Sequence, residues 1–214
     1  MEEPFGGPGG HPGVRGVLHR PEYSERRPDA FVLTHGAGSN CHAPLLVRLA
    51  RAFADAGYLV LRYDLPFRQQ HAKRPPAPVR AARDREGIAA AIEAVRPMAA
   101  RVFAGGHSYG GRQTAMLAAE KPGVAAALLL LSYPLHAPDR PERRRTAFFP
   151  EWRVPALFVH GTADPFASIE ELRDAISIVP ARTEILPVEG AGHDLARAAD
   201  LSAEILTRFH ALIG

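Results

Sequence analysis

The chain has 214 residues, which at roughly 100 to 200 residues per domain fits one domain with at most a modest insertion and excludes a large multidomain machine. Apolar residues make up 46% and charged residues 23%, a balance that supports a sizeable core and argues against intrinsic disorder. Net charge is only +3, with 26 basic against 23 acidic residues, so little excess is left to form a nucleic-acid footprint, and no nucleic-acid partner is expected. All but two of the basic residues are arginine, which together with abundant alanine reads as compositional bias. Cys41 is the only cysteine, which excludes an internal disulfide and any multi-cysteine zinc site. The longest apolar run, Val124 to Leu131, falls short of the roughly 20 residues that cross a bilayer. The first residues, MEEPFGGPGGHPG, lack the basic start and apolar stretch of a secretory signal, so the expectation is a cytoplasmic protein with no membrane partner.

In chain order, residues 1–13 read as a flexible arm and residues 14–214 as one domain. Val14 to His19 is an extra, antiparallel edge strand. Ala30 to Thr34 is short, apolar and β-prone, and runs into the turn-rich loop His35-Gly36-Ala37-Gly38-Ser39-Asn40. Leu45 to Ala56 places Leu45, Leu46, Leu49, Phe53 and Ala56 at helical spacing, with Gly57 where a left-handed cap is wanted. Tyr58 to Tyr63 is a strand, Pro66 to Pro78 a proline-rich loop, and Val79 to Val95 a helix ended by Pro97. Arg101 to Ala104 is a strand, Gly110 to Ala119 a helix, and Val124 to Leu131 a strand buried on both faces. After an arginine-rich excursion from Pro134 to Arg153, the one candidate for a lid, come a strand at Pro155 to His160 and a helix at Ile169 to Ile178. A strand at Thr183 to Val188 and a helix from Leu195 to Leu212 complete the chain. Strands alternating with helices predict an α/β fold: a doubly wound, mostly parallel sheet with helices on both faces and its ligand site beyond the carboxyl ends of the strands.

At one such end stands Gly106-His107-Ser108-Tyr109-Gly110, a G-x-S-x-G sequence between strand and helix. Glycine is needed there because strand and helix cross closely around a strained turn that lifts the serine hydroxyl into the open. Ser108 also sits at a helix N-terminus, which makes the Tyr109 N–H the expected first donor to an oxyanion. The pentapeptide alone is a weak signal, since glycine-serine turns are common connectors. A serine nucleophile needs a base, and the base needs an acid to fix its tautomer, in the chain order serine, acid, histidine. Asp164, in HGTADP at 160–165, and His193, in GAGHD at 190–194, each follow a predicted strand at the same edge and in that order. The alternatives fit less well: Asp64 ends an earlier strand, Asp139 lies in the excursion, His136 precedes the acid, and Asp194 points away from its neighbour's ring. The second oxyanion donor is expected from the loop after an early strand, with Ala37 first choice and Gly38 second, while His35 braces that loop.

These residues resemble the α/β-hydrolase superfamily from about Val14 to the C-terminus. THGAGSN at 34–40, LRYDLPFR at 61–68, GGHSYGGR at 105–112, LSYPLH at 131–136, HGTADPF at 160–166 and GAGHDL at 190–195 together look like one small group within it. That group contains a testis-expressed protein, a hydrolase-like subunit of a histone acetyltransferase complex and small bacterial predicted hydrolases. The resemblance implies a sheet with minimal or no lid and supports Ser108, Asp164 and His193 as the triad, without implying a substrate. It assigns no chemical role to the side chains of His107 and Tyr109.

The expected function is a serine hydrolase that cleaves a small-molecule carboxylic ester or thioester through an acyl-enzyme. That chemistry needs no metal and no organic cofactor. The alternatives are a non-catalytic binding module of the same fold, or a peptidase or amidase. Arg62, Arg68 and Arg74 follow one strand at the catalytic edge, and Arg140, Arg143, Arg144 and Arg145 follow another. Arg68 and Arg145 are therefore candidates for binding an anionic substrate, against the alternative of a solvated charged face.

Overall fold

The chain lays down β1 (Glu2–Gly6), β2 (Arg15–His19), β3 (Ala30–Thr34), α1 (Pro44–Asp55), β4 (Leu59–Tyr63), α2 (Pro66–Gln70) and α3 (Ala81–Val95) in its first half. Then follow β5 (Val102–His107), α4 (Tyr109–Glu120), β6 (Leu128–Leu131), β7 (Ala156–Gly161), α5 (Ile169–Ile176), β8 (Thr183–Val188) and α6 (Ser202–Ile213). This is a computed structural model, and it describes residues 1–6, 13–22, 28–195 and 201–214. The strands form one sheet in the order β1-β2-β4-β3-β5-β6-β7-β8. β1 and β2 run antiparallel to their neighbours and the other pairs are parallel.

Side chains alternate across the pleat, so each strand feeds two cores. Val32, Leu61, Ala104, Leu130 and Phe158 pack with α3, α4 and α5 on one face, through Ile88, Ile92, Ala118 and Leu172. Phe31, Leu33, Val60, Phe103, Leu129 and Val159 pack with α1 and α6 on the other, through Leu49, Phe53, Phe209 and Leu212. At β3 the strand order reverses: β4 lies on one side and β5 on the other, so the loops leaving β3 and β5 diverge at a switch point. Thr34 pairs with Gly106 in register, which sets the glycine-rich loop beside the serine turn.

Several elements differ from the sequence expectation, for identifiable reasons. The first part of the expected arm, Glu2–Gly6, is the edge strand β1, which makes the Arg15–His19 strand internal. Its alternately exposed EEPFG carries no strong strand signal, and charge complementarity supplies what propensity does not. Arg62 is 1% exposed and donates from Nε to His19 Nε2 at 2.7 Å. The Glu2 carboxylate lies 3.6 Å from that buried guanidinium and accepts from Arg51 Nε at 2.7 Å. Burial, and then the Arg62 charge, push His19 down to about 4, so it accepts as a neutral ring. The expected loop at Pro66 to Pro78 opens with the short helix α2, started by a proline whose missing N–H costs a first turn nothing. The β6 strand is confined to Leu128–Leu131, and the final helix is seen from Ser202, residues 196–200 of the expected span lying outside the described residues. The 134–153 excursion is anchored by buried Leu135, Phe149 and Trp152, which join the core beneath it.

The tightest constraint is the crossing of β5 and α4. A Cβ at Gly106 would sit 2.0 Å from Thr34 Oγ1 and 2.5 Å from the Thr34 carbonyl oxygen, and one at Gly110 would sit 2.5 Å from the His35 carbonyl oxygen. Gly106→Ala should therefore cost about 1–3 kcal/mol by overpacking, read as a lower urea midpoint at unchanged slope. An unchanged midpoint would contradict the close crossing.

Candidate active site

Ser108 is the turn between β5 and α4, with φ of 50° and ψ of −116°. A left-handed φ is unfavourable for a residue with a Cβ and is held here by the surrounding hydrogen bonds. Ser108 N–H donates to the Leu131 carbonyl at 2.8 Å, and the Ser108 carbonyl accepts the first helical bond from Arg112 N–H at 2.9 Å. The Ser108 side chain is partly exposed. Its Oγ lies 2.8 Å from His193 Nε2, and His193 Nδ1 lies 2.8 Å from Asp164 Oδ2. The three residues that the sequence places on separate loops thus meet in one hydrogen-bonded row. Tyr109 N–H, at the first position of α4, has no intrahelical acceptor and opens beside Ser108.

The acid is fully enclosed while the base keeps 24% of its side chain exposed. Burial alone would raise the Asp164 pKa. The bonds from His193 and the Phe166 N–H (2.9 Å), together with the nearby imidazoles, outweigh burial and hold it below the usual carboxylate value. The Phe166 bond closes an Asx turn through Pro165. Phe166 also stacks obliquely on His193, ring centres 4.2 Å apart. His160, fully buried, lies 3.6 Å from Asp164 Oδ2, and its Nε2 is 3.0 Å from the Ala167 carbonyl. A carbonyl only accepts, so Nε2 carries the proton.

The loop after β3 is fixed by its carbonyls. His35 accepts from Leu65 N–H at Nε2 (3.1 Å), and its Nδ1 lies 2.8 Å from the Gly36 oxygen, which fixes the proton on Nδ1. Arg68 donates to the Ala37 oxygen at 2.7 Å, to the His71 oxygen at 3.2 Å and to the Ala72 oxygen. In a planar trans peptide C=O and N–H point oppositely. Pinning the Gly36 and Ala37 carbonyls therefore turns the Ala37 and Gly38 N–H groups the other way. Neither N–H has a hydrogen-bond acceptor among the described residues. Gly36 lies against the serine turn: a Cβ there would be 2.9 Å from His107 Nδ1 and 3.6 Å from Ser108 Cβ.

The structure departs from the sequence reading at the arginines. Arg62 and Arg68 are 1% and 5% exposed and bonded to neighbouring residues, so neither rims a pocket. Arg68 braces the glycine loop instead of meeting a substrate. Arg145 is half-buried at the catalytic edge, where its Nη1 donates to the Pro134 oxygen at 3.1 Å. Asp64 is occupied at the other end of the glycine loop, accepting from Cys41 N–H at 2.8 Å. The Cys41 thiol is pushed up to about 12, first by burial and then by Asp64, which removes it as a nucleophile.

Two contacts gave no sequence signal. His107 Nε2 lies 2.7 Å from the His193 carbonyl and so carries the proton that ties the base's loop to the serine turn. Tyr109 donates its hydroxyl to Asp84 Oδ2 at 2.7 Å, while Asp84 Oδ1 accepts from Phe67 N–H at 3.1 Å. A cleft of about 400 Å³ opens beside the row, lined by Gly36, Pro44, Leu45, Arg48, His107 and Asp194 among others.

Residues 27–208 match the family described as Alpha/beta hydrolase domain, and the chain belongs to that family. Among solved structures it is similar to Est1E from Butyrivibrio proteoclasticus, with a TM-score of 0.77 and 16% identity over 98% of this chain and 97% of that one. It is also similar to a lidless α/β serine hydrolase from Xanthomonas campestris, with a TM-score of 0.75 and 18% identity over 99% and 94%. A third is dienelactone hydrolase from Anabaena variabilis, with a TM-score of 0.70 and 19% identity over 92% and 89%. At these identities the likeness is one of fold.

Because its folded pKa is depressed, the Asp164 carboxylate stabilises the protein above the ordinary value of 3.8, and that contribution disappears as pH falls through the folded value. Asp164→Asn should abolish the far-downfield proton resonance of His193 Nδ1. It should also be less stable than the wild type at pH 7, by a gap that narrows below about pH 4. A gap of equal size at pH 7 and pH 3 would contradict the bonded carboxylate.

Proposed function

We propose that the protein is a serine hydrolase acting on a carboxylic ester or thioester. The observation that carries this reading is the row Ser108 Oγ, His193 Nε2 and His193 Nδ1, Asp164 Oδ2, with 2.8 Å at each link. Ser108 Oγ attacks the carbonyl carbon while His193 Nε2 takes its proton. Asp164 stays ionised, holds the Nδ1–H tautomer and stabilises the imidazolium. The carbonyl oxygen becomes an oxyanion held by the N–H groups of Tyr109 and Ala37, each such donor being worth about 10²–10³ in rate. As the intermediate collapses, the carbon–oxygen or carbon–sulfur bond breaks and His193 returns its proton to the leaving alcohol or thiol. Water then attacks the acyl-enzyme with His193 again as base, which frees the acid and restores Ser108. Ala43, Pro44, Leu45 and Leu46 in the neighbouring cleft suit the carbon chain of an acyl or leaving group.

The fold likeness to a described serine hydrolase and to dienelactone hydrolase supports the class and leaves the substrate open. Ser108→Ala should lower ester hydrolysis by at least about a thousandfold. Its urea midpoint should match the wild type to within about 0.5 kcal/mol, because one partly exposed oxygen is removed. A fluorophosphonate probe should label the wild type and not the variant. Hydrolysis at the wild-type rate in the variant would contradict the assignment, and a folded wild type that takes no label would favour a non-catalytic module.

A further inference from the structure

The cleft of about 400 Å³ beside the row is bounded by the immediate neighbours of the reacting groups. Gly36 and Ser39, which line it, bracket Ala37 and Gly38 in the glycine loop, while His107 precedes Ser108 and Asp194 follows His193. A Cβ on Gly36 would lie 3.6 Å from Ser108 Cβ, so the cleft begins where the serine turn ends. A carbonyl held between Ser108 Oγ and the Ala37 N–H therefore has this space open to one of its substituents. Most of the remaining lining comes from the start of α1. Leu49, Ala50 and Phe53 turn that helix onto the sheet, and residues three and four apart share a face, so Pro44, Leu45 and Arg48 meet the cleft together. A long helical side chain leans towards the N-terminus of its helix, which directs Arg48 back over the turn that begins at Pro44.

Arg48 is the one lining residue with a permanent positive charge, and it is half-buried. Among the described residues it has no hydrogen bond and no ion pair. Arg51, one turn on and outside the cleft, shows the contrast: its Nε donates to Glu2 Oε1 at 2.7 Å. The one acid of the lining, Asp194, does not pair with Arg48. The two histidines of the lining, His35 and His107, are kept neutral chiefly by burial. The cleft thus combines apolar Ala43, Leu45 and Leu46 with a guanidinium whose donors meet no protein acceptor. A substrate oxyanion would take two parallel bonds from that planar fork, and the chain carrying it would cover the apolar side chains between Arg48 and the reacting carbonyl.

We propose that Arg48 determines specificity by receiving a carboxylate carried on the substrate's carbon chain, so that the protein selects anionic esters over neutral ones. The proposal deepens the hydrolase reading and rests on it for the word substrate, while binding at Arg48 is testable without turnover.

The test compares kcat/KM for the mono-4-nitrophenyl esters of adipic and suberic acids with that for 4-nitrophenyl hexanoate and octanoate, the neutral esters of equal chain length. At one length or both, the anionic ester should be favoured about tenfold, and the preference should fall with added salt. Arg48→Gln should abolish the preference, and Arg48→Lys, which keeps the charge without the fork, should retain part of it. Arg51→Gln removes the same charge from the same helix outside the cleft and should leave the preference intact. Circular dichroism and urea midpoints exclude variants that fail to fold. A second arm reads binding alone: in the Ser108→Ala background, calorimetry with monomethyl adipate should show binding that Arg48→Gln weakens about tenfold or more, as for a lost charge-assisted pair. Equal kcat/KM for anionic and neutral esters at both lengths, or a preference that survives Arg48→Gln, would overturn the role of Arg48 and leave the hydrolase reading standing. No heat with monomethyl adipate, or heat unchanged by Arg48→Gln, would overturn it as well. Binding that depends on Arg48 in a protein whose wild type turns over no ester would keep the anion site and reject the hydrolase reading.

Discussion

Everything at the catalytic edge depends on how closely β5 and α4 cross. Gly106 and Gly110 bring their backbones to within a Cβ's width of Thr34 and His35, so the strand, the serine turn and the glycine loop form one tightly packed unit. Ser108 takes a left-handed φ inside that unit because its N–H and C=O are both engaged. The strain is local, and its consequence is that Oγ projects outward at the start of α4. A hydroxyl on a looser turn would have no fixed relation to the N–H groups around it.

Around this unit the remaining loops are fixed by polar contacts from behind. His35 and Arg68 hold two successive carbonyls of the glycine loop, His107 holds the carbonyl of His193, and His160 holds the loop that carries Asp164. Burial lowers the pKa of His35, His107 and His160, so these rings act as neutral donors with defined tautomers. The Asp164 carboxylate accepts from His193 Nδ1 at 2.8 Å and from the Phe166 N–H at 2.9 Å. The pattern matches what a preorganised site requires: the reacting groups are partly open while their supports are enclosed.

Much of this was legible in the sequence. Short apolar strands alternating with amphipathic helices gave the parallel sheet, and the order serine, acid, histidine beyond the ends of β5, β7 and β8 gave the row of residues now seen in contact. Glycine at 106 and 110 signalled the close crossing of strand and helix. What stayed hidden depends on side-chain reach and burial. Arg68 looked like a surface cation because charge is visible in a sequence and enclosure by Ala37, His71 and Ala72 is not. β1 looked like a loose arm because its support comes from Arg62 and Arg51, far along the chain.

The central claim is that Ser108 Oγ, driven by His193, attacks a carbonyl whose oxygen is received by the N–H groups of Tyr109 and Ala37. A crystal structure of the protein after reaction with a fluorophosphonate tests this most directly, because the tetrahedral phosphorus mimics the intermediate. The account predicts phosphorus bonded to Ser108 Oγ, with the phosphoryl oxygen about 3 Å from both nitrogens. A phosphoryl oxygen turned to solvent with both N–H groups unengaged, or an adduct on another residue, would contradict it.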